Sequence, residues 1–355
     1  MTNTMFVTPH LGGNGGTETV TRAVLDEYDK KRIEYLLVQV GGSKNYDWCV
    51  GLNYIKCKYH KSVVIRNIIY FNFLVNALFE HKPSVVICLD PILCLYLKII
   101  KCLFFFKFEL ISWIHFSANA PNVRKSFIKY ADYHLAISSK IVHQYKELGI
   151  KAKNIRLIYN PVKIPSNIVP QTSANDVPMF IYVGRIQFLG QKRLKDAFDA
   201  LANLKTNFQF NLYGSGEDLD VCKAYCIKIG ISKNVRFMGF IERPFNHITY
   251  PVTALLLTSC YEGFGLALTE AISNGIFVVS SDCEVGPSDI IDEINGKMFQ
   301  VSDIKQLTRI LSELCIKGVP TNQEEIRNSI IKFSEEVYFQ KYFSAIDYFT
   351  KSSLP

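Results

Sequence analysis

Short apolar runs alternate along this chain with longer stretches in which apolar positions recur every three or four residues. The first run, Met5-Phe-Val-Thr8, meets the glycine-rich loop Pro9–Gly16 and then a helical pattern from Thr17 to Tyr28. Strand, glycine loop and helix in that order open a doubly wound α/β domain. Further strands are predicted at Tyr35–Val40, Ser84–Leu89, Leu110–Ile114, His134–Ile137 and Ile155–Ile158, with helices at Val63–Glu80, Val123–Tyr130 and Ser139–Leu148. The pattern then restarts. Met179–Val183 reads as a strand, Gly184–Gly190 as a loop and Lys192–Leu204 as a helix. Strands follow at Phe208–Tyr213, Val235–Met238, Ala254–Leu257 and Phe277–Ser280, with helices near Asp218–Ile229, Leu266–Asn274 and Ile304–Cys315.

Two α/β domains in series are therefore expected: a first over residues 1–164, a linker over 165–178 marked by Pro165, Pro170 and Pro178, and a second over 179–335. A final helix over 336–355 carries an aromatic face that needs a surface to pack on. Open parallel sheets bind ligands at the carboxyl ends of their strands, so a cleft between the two domains is the expected ligand site.

Composition narrows the class. Hydrophobic residues make up 48% of the 355 and charged residues 20%, which excludes a disordered chain. The ten cysteines sit largely inside apolar runs with no Cys-x-x-Cys pair, which predicts a reduced, cytoplasmic setting. Residues 1–160 hold 21 Lys and Arg against 11 Asp and Glu, while the remainder holds 19 against 21. The first domain is thus the basic one, suited to nucleic acid, an anionic membrane surface or an acidic substrate. Within it, lysines 98, 101 and 107 interrupt the apolar segment Leu93–Phe108, which rules out a spanning helix. Two readings remain for it: core helix and strand with snorkelling lysines, or a patch lying in a membrane interface.

The candidate chemistry gathers around Glu262-Gly-Phe-Gly-Leu-Ala-Leu-Thr-Glu270, which follows the apolar run Ala254–Ser259. Gly263 and Gly265 permit close backbone approach to a ligand, and the helix starting near Gly265 aims unpaired N–H groups at it. With a carboxylate at each end, this cradle suits a molecule that is phosphate in the middle and polyol at both ends, as a nucleotide sugar is. Arg185 and Lys192 flank the loop after the first strand of the second domain, where two cations can neutralise a diphosphate leaving group. Taken singly, each of these features is an ordinary surface element; their shared place at strand carboxyl ends distinguishes them. Gly15 and Gly16 form a matching loop on the first domain, without the Gly-x-Gly-x-x-Gly dinucleotide fingerprint. His115 follows a strand, a position that could place its imidazole against a transferred sugar or acceptor hydroxyl, although a His beside Trp113 and Phe116 is more often a packed core residue. Asp218-Leu-Asp220 has the spacing of a metal–diphosphate motif but directly follows Gly216-Glu217 at a helix start, and reads as a helix cap.

Gly184-Arg185, Gly190-Gln-Lys192, Tyr213-Gly-Ser-Gly216, Val235–Gly239 and Glu262-Gly-Phe-Gly-x4-Glu270 together resemble the donor-binding half of retaining glycosyltransferases of family 4, which have the GT-B fold. More narrowly, Phe188–Arg193, Thr253–Ser259 and Ser281-Asp-Cys-x2-Gly286-Pro287 resemble the bacterial members that add galactose or glucose to the lipopolysaccharide core. The resemblance implies that Arg185 and Lys192 bind the diphosphate, that Glu262 contacts the sugar, and that Glu270 accepts from the ribose. It further implies that amides of Phe264, Gly265 and Leu266 cap the outer phosphate, that Gly184 and Gly214 line the donor site, that the segment around Met238 holds the base, and that Gly16 closes on the phosphates. The last helix would cross back to the first domain. Also implied are UDP-galactose or UDP-glucose as donor, no metal or other cofactor, a glycolipid acceptor, and a peripheral position on the inner face of the cytoplasmic membrane, with no nucleic-acid partner. The competing readings are the same fold acting on another surface glycan or lipid-linked oligosaccharide, a nucleotide-sugar epimerase, and a non-catalytic nucleotide-sugar-binding protein.

Overall fold

The computed structural model describes residues 3–13, 15–121, 123–173 and 176–351. The chain divides into two compact units, one reaching to Pro161 and taking in the chain again from Tyr338, the other covering Val162–Val337.

In the first unit the strands are β1 (Thr4–Thr8), β2 (Tyr35–Gln39), β3 (Tyr54–Lys56), β4 (Val85–Cys88), β5 (Glu109–Trp113), β6 (Tyr133–Ala136) and β7 (Ile155–Leu157). They form one parallel sheet in the order β3-β2-β1-β4-β5-β6-β7. Its helices are α1 (Gly16–Lys31), α2 (Val63–His81), α3 (Pro91–Leu103) and α4 (Ser139–Glu147). Central strands such as Val85-Val-Ile-Cys88 are buried along their whole length, because helices cover both faces of a parallel sheet. Asp90 starts α3 by accepting from the N–H groups of Ile92 and Leu93 at 2.8 and 3.0 Å, with Pro91 preset for the first helical position.

The second unit repeats the plan with β8 (Met179–Val183), β9 (Gln209–Tyr213), β10 (Val235–Gly239), β11 (Ala254–Leu257), β12 (Val278–Ser281) and β13 (Gly296–Phe299), again all parallel, in the order β10-β9-β8-β11-β12-β13. Helices α5 (Leu194–Ala202), α6 (Leu219–Lys228), α7 (Leu266–Ser273), α8 (Pro287–Ile290), α9 (Ile304–Lys317) and α10 (Gln323–Asn328) accompany them. The last helix, α11 (Glu335–Lys351), packs its aromatic face into the first unit. Tyr342 lies edge-on to Tyr28 with hydroxyls 3.3 Å apart, its ring meets Trp113 at 5.9 Å, and Phe349 stacks on Tyr133 at 4.5 Å.

Several elements differ from the pattern-based expectation. Strands β3 and β13 went unread because both are short edge strands: β3 is half exposed and ends in Lys56, and β13 begins at Gly296, where a Cβ would stand 2.6 Å from the Val278 carbonyl oxygen. The expected helix at Val123–Tyr130 is a 3₁₀ segment over Lys125–Tyr130. The stretch expected as a linker lies inside the second unit. Val169 N–H donates to the Asn274 carbonyl at 2.9 Å, Val252 N–H to that of Pro170 at 2.8 Å, and Gln323 and Arg327 side chains hold the carbonyls of Val169 and Pro165. Prolines there interrupt regular structure, but these backbone groups find partners on the unit.

The Leu93–Phe108 segment turns out to be α3, a turn and a buried Phe108. Leu93, Cys94, Leu97 and Ile100 face the core, whereas Leu103, Phe104 and Phe105 point outward. Lys98 and Lys101 do not snorkel: both reach Asp132, at 3.0 and 2.7 Å, and their charges, opposing its burial, hold its carboxyl below the usual range.

Candidate active site

Both sheets reverse strand order once, between β1 and β4 in the first unit and between β8 and β11 in the second. At such a switch point the loops leaving neighbouring strands diverge to opposite sides and leave a crevice at their carboxyl ends. In the second unit the two flanking loops carry most of the predicted residues: Gly184–Arg193 after β8, and Thr258–Gly265 after β11.

The β8 loop is shaped by backbone packing. Gly184 N–H donates to the Tyr213 carbonyl and Ile186 N–H to that of Ser215, both at 2.9 Å. The approach is so close that a Cβ on Gly214 would lie 1.8 Å from the Gly184 carbonyl oxygen, and one on Gly216 would lie 2.0 Å from that of Ile186. Glycine is required at both for steric reasons. Tyr182, buried in β8, turns its hydroxyl back to donate to the Arg185 carbonyl at 2.6 Å, while the Arg185 side chain is exposed. Burial, reinforced by the charge of Glu262, pushes the Tyr182 phenol well above its usual range, so it stays a donor. Asp218, expected to cap α6, makes no capping bond; its carboxylate accepts instead from Phe188 N–H at 2.9 Å and ties the β8 loop to the start of α6.

The far end of that loop is stitched to the β11 loop. Gln191 donates its amide to the Tyr261 carbonyl and accepts from Cys260 N–H, both at 2.9 Å, and the Thr258 hydroxyl lies 2.9 and 3.1 Å from the carbonyls of Lys192 and Arg193. With both backbones held, Lys192 Nζ meets Glu262 Oε1 at 2.6 Å, the two side chains being 17% and 9% exposed. Burial together with Glu262 pushes the nearby Cys283 thiol up to about 12, which keeps it neutral beside the pair.

Beyond Glu262, Gly263 leads to Phe264, buried with its ring 5.4 Å from that of Phe333, and to Gly265 at φ +103°, which begins α7 without a side-chain cap. The first-turn N–H groups of α7, starting at Leu266, therefore point into the loop region. Gly286 braces the same corner, since a Cβ there would stand 2.0 Å from the Phe264 carbonyl oxygen. Glu270, half-buried on α7, has no hydrogen bond or ion pair to its carboxylate among the described residues, and burial lifts its pKa to about 7. Met238 sits at an irregularity of β10, 42% exposed, next to Gly239, whose carbonyl accepts from Gly214 N–H at 2.8 Å. Arg185, Lys192, Glu262, Gly184 and Gly214 thus lie on carboxyl-end loops of one unit, with Met238 near the end of β10 and Glu270 within α7.

Gly15, Gly16 and His115 belong to the first unit. Gly16 opens α1 after Gly15, and the buried Glu18 holds the preceding turn by accepting from Gly13 N–H at 2.6 Å. His115 follows β5 with its ring 4.4 Å from that of Trp113; its Nε2 is buried without a partner, and burial lowers its pKa to about 3, so the imidazole is neutral. Tyr182, Thr258, Gln191 and Glu18 were missed by the sequence reading. Gln191, Thr258 and Glu18 lie inside quoted motifs but carry no role there, whereas Tyr182 has no local signal inside an apolar strand.

Residues 164–336 match the family model described as glycosyl transferases group 1. The chain is 33% identical over 344 residues to the lipopolysaccharide 1,6-galactosyltransferase of Escherichia coli (strain K12), covering 95% of each. Its structure superposes on that of the lipopolysaccharide outer core galactosyltransferase WaaB, in its apo form, with a TM-score of 0.87 at 34% identity, over 97% of this chain and 99% of that one. It shares the fold of Anabaena Alr3699/HepE, solved in complex with UDP-glucose, at a TM-score of 0.78, 17% identity and complete coverage of both chains. The fold is GT-B, and the chain belongs to the group 1 glycosyltransferases.

Proposed function

We propose that this glycosyltransferase is a retaining, metal-independent hexosyltransferase of the cytoplasm, which moves galactose or glucose from UDP to lipopolysaccharide core or a similar glycolipid at the inner face of the cytoplasmic membrane. The carrying observation is the Lys192–Glu262 pair, held at 2.6 Å by two loops on either side of the β8/β11 switch point. The full-length likeness to a lipopolysaccharide galactosyltransferase supports the acceptor class.

In this reading Arg185 and Lys192 bind the diphosphate and stabilise the charge that builds on it as the anomeric C–O bond breaks. The N–H groups at the start of α7 receive the outer phosphate, Glu262 contacts the sugar, Glu270 accepts from ribose hydroxyls, and the exposed Met238 edge supports the base. The acceptor oxygen bonds to the anomeric carbon on the face the phosphate leaves, and its proton passes to the departing phosphate oxygen. No resident cofactor or metal takes part, because two side-chain cations and oriented amides supply the electrostatic stabilisation. The test is incubation with UDP-galactose, UDP-glucose and UDP-N-acetylglucosamine without acceptor. Slow release of UDP from one of the two hexose donors is expected; failure to bind UDP and to cleave any of the three overturns the reading.

A further inference from the structure

From Trp48 to Phe79 the chain holds four cations, Lys56, Lys58, Lys61 and Arg66, and no carboxylate. This stretch leads into α2, whose exposure is uneven. Its second half seats Leu74, Ala77 and Leu78 on the core of the first unit. Its first two turns do not bury their apolar side chains: Val63 is 57% exposed, Val64 69%, Ile65 46% and Ile68 56%, with Tyr59 just before them at 61%. By length and composition α2 passes for a spanning helix, at a mean hydropathy of 1.3. Its seat on the core holds it along the unit, so it does not cross a bilayer.

The charged side chains of this stretch are all cations. Arg66 lies over the Tyr59 ring, 5.2 Å from its centroid, and donates to the Tyr59 hydroxyl at 3.1 Å, which joins the loop to the helix. None of the four cations forms an ion pair among the described residues. Tyr70, about one turn beyond Arg66, approaches Gly41 so closely that a Cβ there would meet the tyrosine hydroxyl at 2.8 Å. The patch therefore borders the loop leaving β2, on the edge of the sheet where strands end and ligands enter. A contiguous apolar surface of this kind marks an interaction site. A symmetric contact with a second copy would set the same cations against one another, whereas an anionic lipid surface satisfies both the charge and the apolar side chains.

We propose that Tyr59, Val63, Val64, Ile65 and Ile68 insert into the interfacial layer of an anionic bilayer, with Lys58, Lys61 and Arg66 meeting lipid phosphates. The assignment deepens the glycolipid-acceptor reading and rests on it, and its test contains neither donor nor acceptor, so either can fail alone. The test is co-sedimentation of the full chain with phosphatidylcholine vesicles with and without phosphatidylglycerol, at low and high salt. Binding is expected only to vesicles containing phosphatidylglycerol, and should weaken with salt. Val64→Glu/Ile68→Glu and Lys58→Glu/Lys61→Glu should each lower it by about tenfold or more. Phe105→Glu, at an exposed site in the turn after α3, between Phe104 and Phe106 whose rings meet Phe79 at the far end of α2, should leave it unchanged. The Val64→Glu/Ile68→Glu protein should keep wild-type UDP affinity and thermal unfolding, since those side chains are already in water. Equal binding by that variant, loss of binding only in Phe105→Glu, or lipid-free self-association abolished by the α2 substitutions would each overturn the proposal.

Discussion

Lys192 Nζ and Glu262 Oε1 stand 2.6 Å apart although seventy residues separate them in the chain. Each is carried on a loop whose backbone is fixed by the other, through Gln191, Tyr261 and Thr258. The pair is little exposed, so solvent and salt screen it weakly. In the proposed mechanism an incoming diphosphate competes with Glu262 for the ammonium, and in doing so frees the carboxylate for a sugar hydroxyl. Lys192→Ala should therefore lower kcat by about a hundredfold or more, the usual cost of losing a contact made to transition-state charge. Glu262→Ala added to it should cost less than the product of the single effects, because the two act as one unit. Steady-state kinetics on the donor give both values; near-normal turnover in Lys192→Ala removes the diphosphate assignment.

The proposed role of Glu270 connects donor binding to pH. Burial raises its pKa from 4.5 to about 7. A carboxyl raised in the folded state contributes stability that is full below about pH 4.5 and is lost as pH rises through 7. In that role ribose hydroxyls would donate to the ionised form and favour it, so UDP binding near pH 6.5 should release protons from Glu270. Calorimetry in two buffers of different ionisation enthalpy measures that release. It should vanish in Glu270→Gln, and persistence there would assign the proton to another group.

The first unit should lose stability in acid for the opposite reason. Burial lowers both His115 and His134 to about 3 from 6.5. Their contribution is full above pH 6.5 and declines as the medium falls toward 3, since the unfolded chain takes up protons that the folded one refuses. His134 Nδ1 lies 2.7 Å from the Ser112 hydroxyl, so His134→Gln lowers stability at neutral pH while flattening the acid limb. Urea denaturation at pH 5 and pH 7.5 reads both effects; an unchanged slope rules out His134 as a source.

Backbone contact between the β8 and β9 loops predicts a steep cost at Gly214. A Cβ there has no room beside the Gly184 carbonyl, while one on Gly230 meets nothing within 4 Å although φ is +79°. Gly230→Ala should cost about 1 kcal/mol from backbone strain alone. Gly214→Ala must displace a loop of the proposed donor site, and should lose more stability and also weaken UDP binding. Equal losses of stability with unchanged UDP affinity would separate the loop contact from the site.

Turnover should survive EDTA. Asp218 is committed to Phe188 N–H, and the proposed charge stabilisation comes from Arg185, Lys192 and the start of α7. Strict dependence on added Mn²⁺ would return Asp218 and Asp220 to the reaction.

Much of this protein was legible in the linear pattern. Buried parallel strands read as apolar runs, and most were found within a residue or two, because burial on both faces leaves the same mark wherever such a strand occurs. The glycine loops and the Glu262–Glu270 spacing were equally visible, since a loop that opens a helix toward a ligand is a local device. Edge strands β3 and β13 left no such mark, being short and only partly buried. Relationships between distant segments were hidden for a more general reason. Asp218 holds Phe188 instead of capping its own helix, Lys98 and Lys101 share Asp132, and Lys192 faces Glu262. Each depends on strand order and loop packing, which bring together residues whose local sequence says nothing of the other. The same holds for α2: its composition admits a core helix, a spanning helix or an interfacial one, and only the contacts of Leu74, Ala77 and Leu78 show which of its turns are left uncovered.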